Sequence, residues 1–211
     1  MQRARVTTKR DNQRSATTRA AIITATAEVI CDRGFLGATT AAIAERANVN
    51  QGVIFYHFGT LVELFSETLH TSSTARLEAY RQGLDGVTGI GALLARAAEL
   101  FREDQASGHV TVLAQLVAGA GSIAELHATV VTHVEQWVGF VEEIMVAHLP
   151  DGGLAALLPA PAQMAVLVVS LYLGAELLLD LAPGLGVQAA LEDVQQRLGA
   201  LAGLAGGLLK P

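Results

Sequence analysis

Apolar residues recur along almost the whole chain at the three-to-four-residue spacing of a helix, and no stretch shows the strict alternation of a strand. From about Thr17 to Arg33, Ile23, Ala27, Ile30 and Cys31 fall on one stripe, with Gly34 at the stop position. Thr39 to Phe58 (TTAAIAERANVNQGVIFYHF) reads as two short helices joined by a tight turn. Thr60 and Glu63 have the spacing of a capping box, which predicts a long helix to about Gln82 with Leu61, Leu64, Phe65, Leu69 and Leu77 as its apolar side. Glycines at 83, 86, 89 and 91 mark a break, and helices are expected at about 90–106, 109–119, 122–148, 161–181 and 187–205. The fold class is all-α. Residues 1–14 are polar and basic and are expected as a flexible arm.

The segment Met164 to Ala182 approaches the length of a membrane span. Glu176 and Asp180, four apart and therefore on one helical face, would be costly in hydrocarbon, and nothing basic flanks them. The preferred reading is no membrane but a helix covered partly by its own core and partly by a second copy of the chain. The helix at 187–205, with Val187, Ala190, Leu191, Val194, Leu198 and Leu201 facing one way, is its natural companion.

The paired short helices carry the most specific signal. Thr39 or Thr40 is a candidate N-cap of the first, which turns Ile43, Ala44 and Ala47 inward and Glu45 and Arg46 outward. Asn48 accepts the left-handed backbone of a sharp turn, Val49 plugs the space between helices, and Asn50 can cap the second. Gly52, without a side chain, would let free amides approach a phosphate. The run Val49-Asn50-Gln51-Gly52-Val53-Ile54-Phe55-Tyr56-His57-Phe58 resembles the TetR family of bacterial transcriptional repressors, whose signature runs Val-Ser-Lys-Gly-Thr-Leu-Tyr-x-His-Phe. Gly34-Phe35, Ala38-Thr39-Thr40 and Ile43-Ala44 also match, and the detailed resemblance spans about residues 18 to 70.

That resemblance implies an N-terminal arm and three-helix helix-turn-helix DNA-binding domain over 1–60, and a larger helical ligand-binding and dimerisation domain over 61–211. It implies a homodimer through a four-helix interface built from 161–181 and 187–205, reading a palindromic double-stranded DNA operator. Thr40 would donate its hydroxyl to a phosphate or serve as a plain cap. Asn50, Gln51 and Val53 stand where family members reach the groove; Gln51 suits adenine and Val53 a thymine methyl. Tyr56 and His57 would reach phosphates or sugars, with Gly52 beside them, while Phe55 and Phe58 are expected to be packing residues. Where the family usually carries lysine this chain has Gln51 and Leu61, and where many relatives have tyrosine it has Phe55. Losing two cations should flatten the salt dependence of binding.

Charge location fits this division. The net charge is -6, yet residues 1–60 carry eight Lys or Arg against four acids, +4, which leaves six basic and sixteen acidic residues and -10 for 61–211. Six of the eight lie in the arm and first helix (Arg3, Arg5, Lys9, Arg10, Arg14 and Arg19) and are expected to compensate for the missing lysines. A lone cysteine, Cys31, excludes an internal disulfide, reads as a small core residue, and suits a reducing cytoplasm, and the polar N-terminus does not lead into a signal-peptide apolar region.

The middle helices would house an unknown small-molecule effector. Candidate lining residues are Phe101, Gln115, Leu116, His133, Trp137, Phe140, Met145 and Tyr172, with Glu176 as a polar anchor. Aromatics are 5% of the chain, so a mainly aliphatic site for an apolar or amphipathic compound is expected. The small residues at Ala118 to Ser122 either leave room for that ligand or let helices approach closely. No metal, cofactor or catalytic residue is expected: His127 and His133 are six apart, Glu142 and Glu143 point to different faces, and no phosphate-binding glycine motif or nucleophile elbow occurs. The leading function is therefore a ligand-responsive repressor. One alternative is a DNA-binding regulator whose C-terminal domain binds a protein partner; another is an enzyme or carrier that keeps the helix-turn-helix as a structural element.

Overall fold

The computed structural model describes residues 9–148 and 158–208, and its regular elements are helices. They are α1 (Lys9–Gly37), α2 (Thr40–Arg46), α3 (Gln51–Phe58), α4 (Leu61–Leu84), α5 (Ile90–Ser107), α6 (His109–Ala120), α7 (Ala124–His148), α8 (Pro161–Leu181) and α9 (Val187–Leu208), with a 3-10 turn at Pro183–Leu185. Among the described residues there are no strands.

α1 begins well before Thr17, so residues 9–14 are helical rather than part of an arm; residues 1–8 lie outside the described residues. Nothing between Lys9 and Arg33 breaks a helix, and the Thr17 and Thr18 hydroxyls bond back to the Gln13 and Arg14 carbonyls at 3.0 Å each. Periodicity alone cannot extend a helix into a segment that has no apolar face. The helix kinks at Gly34, whose φ of 68° is a conformation side chains disfavour. Its buried stripe is Ile22, Ala25, Thr26, Val29 and Ile30, one position away from the expected one, with Ile23 and Ala27 at its edge. Thr26 makes this possible, since its hydroxyl is satisfied by the Ile22 carbonyl at 2.8 Å and can be buried. Cys31 is accordingly exposed, not a core residue; its thiol donates to the Gly108 carbonyl at 3.4 Å.

α4 opens with the expected capping box. The Glu63 N–H donates to Thr60 Oγ1 at 3.1 Å, and the Thr60 N–H donates to Glu63 Oε2 at 2.8 Å. It then serves two apolar clusters in succession. The first gathers Ile30, Ile43, Ile54, Phe58, Leu64, Phe65 and Leu69 with Val112 and Leu116 of α6 and Leu126 and Val130 of α7. The second gathers Leu77, Tyr80 and Leu84 with Leu93 and Leu100 of α5 and Phe140 of α7.

Beyond the Gly34 kink, the last residues of α1 fasten onto α6 beside the first cluster. Gln115 Oε1 accepts from the Phe35 N–H at 3.1 Å, and the Phe35 ring lies where a side chain at Gly119 would stand, 2.6 Å from its Cβ position. The small residues at 118–122 thus admit Phe35, the close-approach alternative.

α8 lies against α7, and α9 against α5. Over Pro161–Leu179 α8 is long and apolar enough to cross a membrane by length and composition, with a mean hydropathy of 1.8 and 22% of that stretch buried. Val166, Leu167, Leu171, Leu177, Leu178 and Leu181 of α8 and Val194 and Leu198 of α9 are exposed.

His133 of α7 is buried against His70 of α4, ring centroids 5.5 Å apart. Burial, reinforced by the charge of His70 and opposed by a bond from Gln136, holds its imidazole below the usual 6.5. A base whose native pKa is depressed binds protons more readily when unfolded, so stability is lost as pH falls below about 6.5 toward the lower native value. Scanning calorimetry at about pH 7.5 and 5.5 should show a drop in Tm that is smaller in His133→Leu; an equal drop would remove His133 as its source.

Candidate nucleic-acid interface and effector cavity

The α2–α3 unit is fixed by local chemistry at each step. Thr39 is the cap of α2, its Oγ1 accepting from the Ala42 N–H at 3.2 Å, which leaves the half-buried Thr40 as the first helical residue with its hydroxyl not used as a cap. Asn48 has φ 52°, and the Val49 N–H closes the turn on the Ala44 carbonyl at 3.0 Å. Asn50 caps α3, its Oδ1 accepting from the Val53 N–H at 3.1 Å. A Cβ on Gly52 would come within 3.2 Å of that same oxygen, so the glycine also makes room for the cap.

On α3, Ile54 and Phe58 are buried one turn apart and Val53 and His57 are half-buried beside them. Gln51, Gly52, Phe55 and Tyr56 face outward, Tyr56 at 82% exposure and Phe55 at 47%. Phe58 therefore packs as expected, whereas Phe55 does not: at position i+4 from Gln51 it shares the outer face. Tyr56 and His57 meet edge to face at 5.2 Å, and with Gln13, Arg14, Thr17 and Thr18 of α1 they line a shallow open groove.

Not every cation of the first sixty residues is available to this groove. Arg46 pairs with Asp32 at 2.6 Å and Glu28 at 3.1 Å, and Arg33 approaches Glu45 at 3.9 Å. Arg19 donates to Glu67 at 2.8 Å, holding that carboxyl below its usual range, and lies over the Phe58 ring at 4.9 Å. Arg19 thus ties α1 to α4 and does not belong with the compensating charges. Arg14 lines the groove itself; Arg3 and Arg5 lie outside the described residues.

Residues of α4, α5, α6, α7 and α8 line a cavity of about 210 Å³. Phe101, Trp137, Phe140, Met145 and Tyr172 line it, joined by Tyr80, Leu84, Leu93, Leu94 and Ile144 among others. Four expected positions lie elsewhere. Gln115 receives Phe35, and Leu116 is buried in the first apolar cluster. His133 faces His70, and Glu176 is buried one turn beyond Tyr172 and off the cavity wall. A face chosen by spacing on one helix cannot say which neighbour it meets, and α7 meets α4 on one side and α8 on another.

Beside the cavity sits a polar hub. Asp104, 1% exposed, pairs with Arg76 of α4 and accepts from Tyr80 Oη at 2.7 Å and Tyr172 Oη at 3.0 Å. Burial, with the nearby negative charge of Asp104, pushes both phenols well above their ordinary value, so they stay protonated donors.

Comparison with known proteins bears on the interface first. Residues 22–68, which run from the core of α1 into α4, match the bacterial regulatory proteins of the tetR family. The family likeness is thus shown for this domain, the helix-turn-helix and its flanks. An HTH-type transcriptional regulator of Mycobacterium tuberculosis is 26% identical over 117 residues, covering 56% of this chain and 60% of its own length. The chain thus spans about 60% of the length of that curated relative. The TetR-like fold extends further than the sequence match. A transcriptional regulator from Rhodococcus sp. Rha1 superposes with a TM-score of 0.71 at 21% identity, over 87% of this chain and 95% of that one. NalD, the secondary repressor of the MexAB-OprM multidrug efflux pump in Pseudomonas aeruginosa, does so at 0.62 and 20%, over 87% and 96%. Within this TetR-like domain the outward residue that its type concealed is Phe55, and the signal that reveals it is its i+4 spacing from Gln51.

Proposed function

We propose that this chain is a ligand-responsive repressor that binds a palindromic operator as a homodimer in the cytoplasm and is released by a small apolar or amphipathic molecule. The observation that carries the DNA reading is α3: two buried anchors, Ile54 and Phe58, present Gln51, Gly52, Phe55 and Tyr56 outward from a helix whose angle is set by a helix-turn-helix. Gln51 reads adenine through N6 and N7, and Phe55, with the edge of Val53, lies against a thymine methyl. The Asn50 side-chain nitrogen is left to donate, since its oxygen is used by the cap. Thr40, the amide of Gly52, Tyr56, His57 and Arg14 hold phosphates and set the register. The domains divide near residue 60, and the dimer forms through the exposed apolar faces of α8 and α9, which a solitary chain would leave in water. A structural neighbour that is a repressor, NalD, supports the sign of the regulation.

The test is selection of bound duplexes from a random pool, repeated with two variants. Gln51→Ala should relax preference at one base position by about 1–3 kcal/mol, and Tyr56→Phe should weaken all duplexes alike and leave the selected sequence unchanged. A uniform loss from Gln51→Ala would contradict its role as a base reader, and a pool that never enriches would contradict the repressor reading as a whole.

A further inference from the structure

The cavity wall contains three aromatics with polar tips, and each tip is engaged away from the cavity. The Tyr80 and Tyr172 hydroxyls both donate to Asp104, and the Trp137 Nε1–H donates to Ser73 Oγ of α4 at 3.0 Å. What remains facing the space is ring and aliphatic surface, and among the described residues no charged side chain lines it. Asp104, the carboxylate bonded to two of these aromatics, is buried outside the lining and already holds Arg76 and two phenols, so its charge is compensated away from the cavity.

We infer that this cavity takes an uncharged hydrocarbon with few or no hydrogen-bonding groups, of roughly eight to twelve heavy atoms, and rejects cationic and anionic amphiphiles. The size follows by comparison with an engineered apolar cavity of about 150 Å³ that stays dry and holds benzene; the present one is about 210 Å³. The polarity follows from desolvation: a buried charge or amide that finds no partner costs more than its apolar contacts return. A second hollow adjoins the cavity. Phe101 and Tyr172, edge to face at 5.2 Å, line both the cavity and this hollow between α5, α8 and α9, whose polar residues are Arg102, Gln188, Glu192 and Gln195, so that an anionic head there would meet a carboxylate as well as a cation. An anionic amphiphile would have to part those two rings, breaking the Tyr172 bond to Asp104, to place its tail in one space and its head in the other. This inference rests on the effector reading above and narrows it.

Three probes of one shape separate the possibilities: butylbenzene, 4-phenylbutylammonium and 4-phenylbutyrate, each titrated into the full chain. Trp137, the only tryptophan, lies in the wall, so its fluorescence reports occupancy directly. Butylbenzene should saturate the signal and raise the Tm, and each charged probe should bind at least about a hundredfold more weakly. Ala97→Phe, which fills the space from α5, should remove the butylbenzene response in a variant whose circular dichroism shows it folded. Equal or tighter binding of either charged probe, no response to butylbenzene, or an unchanged response in folded Ala97→Phe would each overturn the inference. Butylbenzene binding is read without DNA. A chain that binds its selected duplex but ignores butylbenzene therefore loses only this inference, whereas one that binds butylbenzene but no duplex loses the repressor reading.

Discussion

Changing Leu167 and Leu171 together to Glu is expected to give a folded monomer whose operator affinity is lower by about a hundredfold or more. The two side chains lie one turn apart on α8, at 62% and 60% exposure, so neither supports the interior of a single chain. Carboxylates there are expected to leave the fold intact but to place four charges in the proposed two-copy interface, where apolar contact would drive association. The DNA effect is larger than the dimer effect alone. With two recognition helices on one frame, binding of the first makes binding of the second intramolecular, and the monomer forfeits that gain. Analytical ultracentrifugation and fluorescence anisotropy measure the two parts. Val146→Glu, on α7 at 64% exposure, serves as control and should change neither. A double variant that still sediments as a dimer would move the interface off α8.

Asp104→Ala is expected to destabilise the chain by about 3–5 kcal/mol in denaturant unfolding, because it leaves Arg76 nearly buried without its counter-charge. Two phenols lose their acceptor at the same time. Domains of this class have about 5–15 kcal/mol in all, so the Tm should fall by roughly 10 °C. The exposed pair Arg197–Asp193, at 75% and 57% side-chain exposure, is the internal standard. Asp193→Ala should cost no more than about 0.5 kcal/mol, since solvent screens the pair. A loss below about 1 kcal/mol from Asp104→Ala would mean that Arg76 turns to water once its partner is gone.

Where a helix begins or ends by side-chain chemistry, the sequence was legible. The Thr60–Glu63 box, the Asn50 cap and the left-handed Asn48 depend on near neighbours only, and each lies where its residue type indicated. Features decided by distant parts of the chain were not. The stripe of α1 turned by one position, with Thr26 buried and its hydroxyl satisfied by the Ile22 carbonyl, and Cys31 lies outside. Gln115 and Leu116 lie on α6 as the spacing required, but the partner they meet is the Phe35 turn and the first apolar cluster. On α3 the aromatic type of Phe55 suggests packing, but its i+4 spacing from Gln51, with Ile54 and Phe58 filling the inner face, puts it outward.

One apolar cluster runs without interruption from α1, α2 and α3 through α4 into α6 and α7. The helix-turn-helix front therefore shares its packed interior with α6 and α7, and it meets the cluster that walls the cavity through α4 and α7, which serve both. If the cavity takes an effector, its influence on α3 is expected to arrive as a shift of packed helices, with α4 as the connecting lever.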